Sequence, residues 1–363
     1  MSGDELESLR ERIRTLDQEL LARIAERQDL ARRVGEIKHR AGRPTVDFAQ
    51  ERIVLERVAQ SARALGVDET TVQELFVGLI RASVTVQDED RLRAAAQGAG
   101  QRAVVVGGAG RMGRWFQRFL AAQGFAVTSL DPAGSPADDA AAQAALPGAD
   151  LVVCSTPPAA TARLYGAWTE RPPAGVVVDI ASIKSPLVPA IRALQAAGGR
   201  VASIHPMFGP GIVLLRDADV VVCDTGDAAA TAAIEALFRP TTAHLVPLSL
   251  EDHDRIMADL LGLAHATAIA FALALPAAEH PVRSTTFRAL ERLAAAVVRE
   301  SPDVYFEIQA KNPHAPDALR RLRDALERIV AAVASEDAAA FGRLLAAGRE
   351  RTARPEAGPG TAG

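Results

Sequence analysis

The first ninety residues carry the hydrophobic spacing of long amphipathic helices. Between residues 4 and 41, apolar side chains recur three and four positions apart. They are Leu6, Leu9, Ile13, Leu16 and Leu20. At ~1.5 Å per residue such a helix is more than ~50 Å long, too long for a small domain to cover from one side. The pattern therefore predicts that this helix pairs with a second copy of the chain.

Two more helices are predicted before the pattern changes. Residues 42–44, which include a glycine and a proline, end the first helix. The second runs from about Phe48 to Leu65 and is closed by Gly66, and the third covers about residues 68–95. Residues 1–95 are thus interpreted as an all-helical domain, and the glycine-containing residues 96–102 as a flexible linker.

The middle of the chain alternates short apolar runs with helical stretches. The runs cover residues 103–106, 125–131, 149–156, 176–180 and 201–204, with a further one at 220–223. Strands that alternate with helices predict a parallel, doubly wound sheet, which binds its ligands beyond the carboxyl ends of the strands. Residues 103–248 are assigned to this α/β domain.

The last third is almost wholly helical and rich in apolar residues. Helices are predicted at residues 256–275, 286–298, 317–334 and 338–347. Because they are hydrophobic on more than one face, we expect them to be buried against a second subunit. Residues 249–351 therefore form a helical dimerisation and substrate domain, and the Gly- and Pro-rich residues 352–363 a disordered tail.

A glycine-rich turn follows the first strand of the α/β domain. Gly108, Gly110 and Gly113 lie between that strand and an apolar-faced helix, so backbone amides can approach a pyrophosphate at the helix N-terminus. The next strand ends in Asp131, whose carboxylate accepts from a ribose 2′-hydroxyl and repels a 2′-phosphate. We expect a Rossmann domain that binds NAD, the alternative being an ordinary tight turn. The remaining expected cofactor contacts are Arg111, Met112, Ser155 and Thr156.

His205 is the strongest candidate for acid–base chemistry. It directly follows a predicted strand and precedes Pro206, in a loop that Pro210 stiffens again. A histidine that only caps a strand end is an equally good interpretation. His253 opens the long apolar helix, where a polar N-terminal residue is the simpler interpretation. Arg288 lies among apolar residues and would by default reach solvent, although a dicarboxylate substrate needs a bidentate partner.

Composition excludes several classes of function. The 363 residues have a formal charge of -4, without the basic stripe of a nucleic-acid-binding protein. We expect no membrane-spanning apolar run and no signal peptide, and hence a soluble, cytoplasmic protein. Cys154 and Cys223 lie in β-branched runs and are expected to be buried thiols, so neither a disulfide framework nor a metal site is predicted.

Two cations interrupt the apolar seam of the first helix. Arg27 and Lys38 are eleven residues apart, close to three whole turns, and so share a face. A partly buried pair of cations calls for anions, which suggests a ligand. On the later helices, residues four apart again share faces: Asp47 with Glu51, and Ser83 with Gln87. For any single one of these residues, an ordinary solvated surface position remains the simpler interpretation.

These residues resemble the all-helical chorismate mutases over about the first ninety positions. The motifs are Leu9-Arg10-x-x-Ile13-x-x-Leu16-Asp17, Ala25-Glu-Arg27, Val34-Gly-x-x-Lys38, Asp47-x-x-x-Glu51 and Ser83-x-x-x-Gln87. The resemblance implies an intertwined homodimer. Arg10, which lies seventeen positions before Arg27 on another face, would then serve the site of the partner protomer.

The resemblance also implies roles for the remaining residues. Arg27 and Lys38 would bind the two carboxylates of chorismate, and Lys38 with Gln87 would hydrogen-bond the ether oxygen. The groups near the ring hydroxyl would be Asp47 and Glu51, with Ser83 near a carboxylate. Rearranging chorismate to prephenate involves no proton transfer, so a catalyst needs only a compact conformer and positive charge at the breaking ether bond.

The second part of the chain resembles the prephenate dehydrogenases. The motifs are Val106-Gly-Gly-Ala-Gly-Arg-Met-Gly113, Val178-Asp-Ile-Ala-Ser-Ile-Lys184, His205-Pro-Met-Phe-Gly-Pro210, Glu251-Asp-His253-Asp, Ser284-Thr-Thr-Phe-Arg288 and Asp303-Val-Tyr-Phe-Glu-Ile-Gln309. The resemblance implies that His205 takes the proton of the ring 4-hydroxyl while hydride leaves C4 for NAD. Ser182 would orient His205, Arg288 would bind the side-chain carboxylate, and His253 would shape the pocket.

Together the two resemblances indicate a fused chorismate mutase and prephenate dehydrogenase of tyrosine biosynthesis. Three alternatives remain open. The same scaffold could act on 4-amino-4-deoxychorismate and its rearranged product, since Gln50 replaces the arginine that is usual in the mutases. The N-terminal helices could serve only for dimerisation or regulation, although the cations in the seam oppose this. The chain could also be a nucleotide-sensing protein without turnover, which His205 opposes.

Overall fold

The computed structural model describes residues 3–41, 47–131, 143–212, 215, 218–276, 281–299 and 301–353. The chain divides into two compact units, which are considered separately. The first comprises Met1–Ala181 and Pro186–Leu250, and the second comprises Ser182–Ser185 and Glu251–Gly363. The first unit thus contains both the N-terminal helices and the sheet. The tail that was expected to be disordered lies almost wholly outside the described residues.

Three helices form the N-terminal part, as the hydrophobic spacing predicts. They are α1 (Gly3–Arg40), α2 (Phe48–Leu65) and α3 (Glu69–Ala95). Asp47 and Asp68 cap the starts of α2 and α3 by accepting backbone N–H groups, and Gly66 ends α2 in the left-handed conformation. The apolar seam of α1 stays open to solvent in the single chain, with Leu9 and Ile13 56% and 58% exposed.

A seven-stranded sheet forms the centre of the first unit. Its strands are β1 (Arg102–Val106), β2 (Ala126–Leu130), β3 (Leu151–Cys154), β4 (Val176–Asp179), β5 (Arg200–Pro206), β6 (Asp219–Asp224) and β7 (His244–Ser249). They lie in the order 2-1-3-4-5-6-7. The crossover helices are α4 (Arg111–Ala122), α5 (Pro158–Ala167), α6 (Val188–Ala196) and α7 (Ala228–Phe238).

Each face of the sheet has its own hydrophobic core. One core packs Phe116, Phe119 and Phe238 against the strands, and the other packs Tyr165, Ile191 and Leu194 against the opposite face. Alternate residues of β1 belong to the two cores, as expected for a strand buried on both sides. Cys154 and Cys223 are both buried, as the sequence predicts.

The structure corrects three expectations about the sheet. It is not purely parallel, because β6 runs antiparallel to β5. The strand β7, parallel to β6 at the edge, was not predicted. His205 does not lie in a loop after β5 but inside this strand, where it pairs with Val221 of β6. The segment between Pro206 and Asp219 has no helix among its described residues, and a parallel crossover normally requires one.

The second unit is helical. Its elements are α8 (Leu250–Met257), a π-helical segment (Ala258–Leu263), α9 (Ala264–Ala274), α10 (Thr285–Val298), α11 (Pro302–Lys311), α12 (Ala315–Ala334) and α13 (Ala338–Thr352). Because α8 begins at Leu250, His253 lies within the helix rather than at its opening. The helix α11 was not predicted.

One expectation about membranes is wrong on length and composition. The continuous helical stretch Leu250–Ala274 is 25 residues long and apolar enough to cross a membrane. Only 22% of its most apolar window is buried within the chain. A core helix of a soluble protein passes the same test of length and composition, so this stretch does not by itself indicate a membrane protein.

Candidate active sites

The N-terminal helices bring a cation and a hydroxyl together between α1 and α3. Nη1 of Arg27 donates to the Ser83 Oγ at 2.6 Å and to the carbonyl of Leu79 at 2.9 Å. Arg27 is half-buried, and this burial lowers the pKa of its guanidinium. The resemblance to the mutases places both residues near carboxylates of the substrate, but the sequence pattern does not show that the two side chains are in contact.

Gln87 lies on the same face of α3, one turn beyond Ser83. Its Nε2 donates to the carbonyl of Ala31 in α1 at 2.9 Å. A Cβ atom at Gly35 would lie 2.6 Å from the Gln87 Cγ, so a larger residue at this position would displace the Gln87 side chain. The glycine of the Val34-Gly-x-x-Lys38 motif thus makes room for Gln87, a role that sequence reasoning missed. Lys38 follows Gly35 on α1 and is half-buried.

The other candidate mutase residues lie at the start of α2 and near the start of α1. Asp47 caps α2 by accepting the N–H of Gln50 at 3.0 Å, and Glu51 occupies the first turn of that helix. Arg10 is exposed on α1 and lies 3.6 Å from Glu7 on the same helix. Seventeen residues separate Arg10 from Arg27, about 25 Å along the axis, so one chain does not bring them together.

The glycine turn after β1 is shaped for close backbone approach. Gly107 has a φ of +82°, and a Cβ atom at Gly113 would lie 2.2 Å from the Gly107 carbonyl oxygen. A Cβ atom at Gly108 would meet the Ser129 Oγ at 1.9 Å. Gly110 is the N-cap of α4 and leaves the helix N-terminus without a capping side chain. Backbone amides at an uncapped helix start bind phosphate well, so these residues fit a dinucleotide.

Asp131 lies beside this turn, at the end of β2. Its Oδ2 accepts the backbone N–H of Ala109 at 3.0 Å, which holds the carboxylate against the glycine turn. Arg111 and Met112 begin α4, and Ser155 and Thr156 follow β3. Since β1 and β3 are parallel neighbours, all these residues lie at the carboxyl ends of the parallel strands.

His205 lies at the same carboxyl-terminal side of the sheet. Its strand β5 runs parallel to β4, and Ser203 pairs with Asp179, the last residue of β4, so His205 lies just past the carboxyl end of that neighbour. The side chain is buried, and the ladder to β6 fixes the backbone. The scaffold that positions this imidazole is therefore a strand pair, which is stiffer than the loop expected from sequence.

In the second unit, the buried carboxylate of Asp254 accepts several hydrogen bonds. The Asp254 Oδ1 accepts the N–H of Lys184 at 2.7 Å and lies 2.8 Å from Nδ1 of His253, while its Oδ2 accepts the N–H and hydroxyl of Ser185. Burial raises the pKa of Asp254, but these hydrogen bonds outweigh it and leave the pKa below its ordinary value. Asp254 thus holds both the 182–185 segment and the His253 ring.

The remaining candidates in this unit are less constrained. Ser182 begins the segment held by Asp254 and is half-buried. Arg288 is exposed in the first turn of α10, which Ser284 caps. Sequence reasoning missed Asp254, and the only signal was its place beside His253. Within the described ranges, no cluster of three His, Cys, Asp or Glu side chains could hold a metal ion.

The chain matches two known protein families. Residues 9–88 match chorismate mutase type II, and residues 134–247 match the nucleotide-binding domain of prephenate dehydrogenase. The T-protein of Enterobacter agglomerans is 31% identical over 312 residues, which cover 84% of this chain and 81% of the relative. The 4-amino-4-deoxyprephenate dehydrogenase of Streptomyces pristinaespiralis is 33% identical over 267 residues, 68% of this chain and 89% of the relative.

A solved structure shares the fold of the dehydrogenase part. The prephenate dehydrogenase of Aquifex aeolicus, crystallised with hydroxyphenyl propionate and NAD⁺, superposes with a TM-score of 0.55 at 18% identity. The match covers 69% of this chain and 97% of that one. The chain therefore belongs to the T-protein family, and it joins a type II chorismate mutase to an NAD-dependent prephenate dehydrogenase in one polypeptide.

Proposed function

We propose that the chain catalyses two consecutive steps of tyrosine biosynthesis in the cytoplasm. Its N-terminal helices rearrange chorismate to prephenate, and the rest of the chain oxidises prephenate to 4-hydroxyphenylpyruvate, carbon dioxide and NADH. The observation that carries the proposal is that one chain presents two separate sites of the required chemistry. One is the Arg27–Ser83 pair between α1 and α3. The other is the carboxyl-terminal side of the sheet, with the glycine turn and His205.

The mutase step needs electrostatic stabilisation and no nucleophile. Arg27 and Lys38 bind the two carboxylates of chorismate and hold it in the compact conformer from which the rearrangement proceeds. Lys38 and Gln87 donate to the ether oxygen as negative charge develops there. The hydrogen bonds from Arg27 to Ser83 and from Gln87 to Ala31 support this assignment, because they fix both side chains before substrate arrives.

The dehydrogenase step needs one proton acceptor. Bound NAD supplies the hydride acceptor, and the glycine turn with Asp131 is the part of this chain that would hold it. His205 accepts the proton of the 4-hydroxyl as hydride leaves C4 and the ring carboxylate leaves as carbon dioxide, so that the ring becomes aromatic. Arg288 binds the side-chain carboxylate of prephenate, and Ser182 orients His205.

The active assembly in this proposal is a homodimer, and each protomer has the three folded domains predicted from the sequence: residues 1–95, 103–248 and 249–351. The exposed seam of α1 supports it, since a solvated row of leucine and isoleucine on an isolated long helix would be unfavourable. Pairing of two α1 helices would also bring Arg10 of each protomer to the mutase site of its partner. Residues 1–95 and 249–351 would then both contribute to the dimer.

A second candidate is the same pair of reactions on substrates with a 4-amino group in place of the 4-hydroxyl. Its support is the 33% identity to a 4-amino-4-deoxyprephenate dehydrogenase over 267 residues, together with Gln50 in the first turn of α2. Gln50 follows Asp47 by three residues, so an amide replaces a guanidinium next to the residues assigned to the ring substituent.

The deciding experiment compares the two substrates directly. NAD reduction by the purified chain is measured with prephenate and with 4-amino-4-deoxyprephenate, each supplied directly or formed in place from its chorismate precursor. We expect faster turnover of prephenate, and turnover of chorismate without any added mutase. A preference for the amino compound would replace the first candidate by the second, and turnover of neither would refute both.

Two variants connect this experiment to the sites. His205→Asn should lower dehydrogenase kcat by at least about 100-fold, because it replaces the proton acceptor by a polar amide that cannot take up a proton. His244→Asn, an exposed histidine at the start of β7, should change nothing. Unaltered dehydrogenase activity in His205→Asn would remove His205 from the mechanism.

A further inference from the structure

A cavity of about 310 Å³ lies between α3 and α4 in the first unit. Its walls include the buried side chains of Leu92, Trp115 and Phe119, and two exposed arginines, Arg93 and Arg118, lie along it. The volume is at the lower end of the range for small-ligand pockets, and such pockets favour interfaces between structural parts of a protein. Neither reaction proposed above uses these residues.

Asp88 is a buried carboxylate in the wall of the cavity, and a ligand could complete its hydrogen bonding. It is only 6% exposed, and its Oδ2 accepts the hydroxyl hydrogen of Thr242 at 2.8 Å. Its Oδ1 has no hydrogen-bond partner among the described residues. Burial raises the pKa of Asp88 to about 6, against the lowering effects of Thr242 and of the nearby charge of Arg91. A donor from a bound molecule would satisfy this buried oxygen.

The cavity is separate from the mutase residues on the same helix. Asp88 directly follows Gln87, and one residue turns an α-helix by ~100°, so the two side chains leave α3 in different directions. Gln87 points to α1, where it bonds to Ala31, whereas Asp88 bonds to Thr242 just before β7.

The apolar wall of the cavity is aromatic. The rings of Trp115 and Phe119 stack with centroids 4.9 Å apart and an angle of 19° between their planes. Nε1 of Trp115 already donates to the carbonyl of Ile212 at 3.2 Å, so the indole contributes apolar surface and needs no polar partner from a ligand. A carboxylate, two guanidinium groups and an aromatic wall together match a molecule with an ammonium, a carboxylate and a ring.

We propose that this cavity binds an aromatic α-amino acid, with its ammonium group on Asp88, its carboxylate towards Arg93 and Arg118, and its ring against Trp115 and Phe119. Ion pairing and ring contact act together in such a site, so each group contributes to selectivity. The proposal concerns binding alone and does not depend on either reaction of the chain.

The chain offers a local probe for this binding. It has only two tryptophans, Trp115 and Trp168, so Trp168→Phe in the full-length chain leaves Trp115 as the sole source of tryptophan emission. L-phenylalanine, which is not fluorescent in this range, is titrated into that variant at pH 8. We expect a saturable change of the Trp115 emission.

Two analogues and three substitutions test the assigned contacts. In the same background, Asp88→Asn should weaken binding at least ~10-fold, since it removes the charge but keeps the bond to Thr242. Glu74→Gln, an exposed carboxylate of α3, should leave binding unchanged. 3-Phenylpropionate, which lacks the ammonium group, and phenethylamine, which lacks the carboxylate, should both bind at least ~10-fold more weakly. Ala122→Leu, which fills part of the cavity, should abolish the signal.

Protonation gives an independent check. Because Asp88 must be ionised to pair with an ammonium group, binding should be about tenfold weaker at pH 5 than at pH 8. The other charged groups near the cavity are Arg91, Arg118 and Arg93, the last of which pairs with Asp90 at 3.0 Å. Circular dichroism confirms that each variant is folded, and Ala122→Leu decides the question if Asp88→Asn does not fold. Equal binding in Asp88→Asn or Ala122→Leu, equal binding of 3-phenylpropionate, or no saturable change would overturn the proposal.

Discussion

Gly113, in the first turn of α4, faces the carbonyl oxygen of Gly107 at a distance that leaves no room for a methyl group. Gly113→Ala should therefore force the turn open and weaken NAD binding by about tenfold or more, which corresponds to ~1–3 kcal/mol of strain. The measurement is a calorimetric titration with NAD. Gly166→Ala in α5, where a Cβ atom meets nothing within 4 Å, is the control and should bind NAD normally.

Asp254, in the second unit, accepts hydrogen bonds from Lys184 and Ser185 and lies 2.8 Å from the His253 ring. Asp254→Asn should lower the free energy of unfolding by about 3 kcal/mol at pH 7, because an amide replaces an acceptor of charge-assisted hydrogen bonds. It should also lower dehydrogenase activity, since the His253 ring and the 182–185 segment lose their anchor. Mutase activity should persist. Asp252→Asn weakens the exposed ion pair with Arg255 and should cost under ~1 kcal/mol.

The acid dependence of this effect has a definite sign. The pKa of Asp254 in the folded chain lies below its ordinary value, so its stabilising contribution is present above that ordinary value. The contribution is lost as the pH falls through the folded pKa. Denaturation curves of the wild type and Asp254→Asn should therefore differ at pH 7 and converge in acid. Curves that stay parallel down to pH 2 would contradict the assigned hydrogen bonds.

At the scale of single elements, the seam of α1 makes the clearest prediction. Leu16→Asp places a charge in the row of exposed apolar side chains and should weaken the proposed dimer at this seam, with loss of mutase activity. Gln18→Asp adds the same charge two residues away, about 200° around the helix, and should leave the dimer intact. Sedimentation velocity measures both. Unchanged mutase activity together with an unchanged dimer dissociation constant in Leu16→Asp would exclude pairing through this seam.

The helices of the first ninety residues were predicted nearly to the residue, and the strands less completely. Helix bounds follow from local signals, such as the Asp47 cap and the left-handed Gly66 that enclose α2. The edge strand β7 gave no such signal. It contains Pro247, which cannot donate a hydrogen bond to a neighbouring strand. Its side chains are only partly buried, so apolar and polar residues alternate only weakly along it.

At the scale of the whole molecule, the two activities should be separable. Arg27→Ala should lower mutase activity about 100-fold and leave prephenate oxidation unchanged, because it removes a cation only from the helical site. Arg23→Ala, one turn earlier and 81% exposed, is the control. An equal mixture of Arg27→Ala and His205→Asn chains should again reduce NAD with chorismate, since prephenate passes between them. Failure of this mixture would contradict a freely released intermediate.

The sequence by itself determined the order of the parts and most of the chemistry. Helical spacing, the glycine turn with Asp131, and the paired polar residues of the mutase motif are local patterns with periods of 3.6 or 2 residues, and they specify elements and motifs without knowledge of the fold. From them came NAD and the candidate residues Arg27, Ser83 and His205, and the resemblance of these motifs to two enzyme families gave the fused architecture.

Only the tertiary structure decided which segments meet. The reversal of β6, the place of His205 inside a strand pair, the hold of Asp254 on Ser185, and the burial of Asp88 against Thr242 all join residues far apart in sequence. No local pattern records such contacts, because they depend on how complete elements pack and on which buried polar groups find partners.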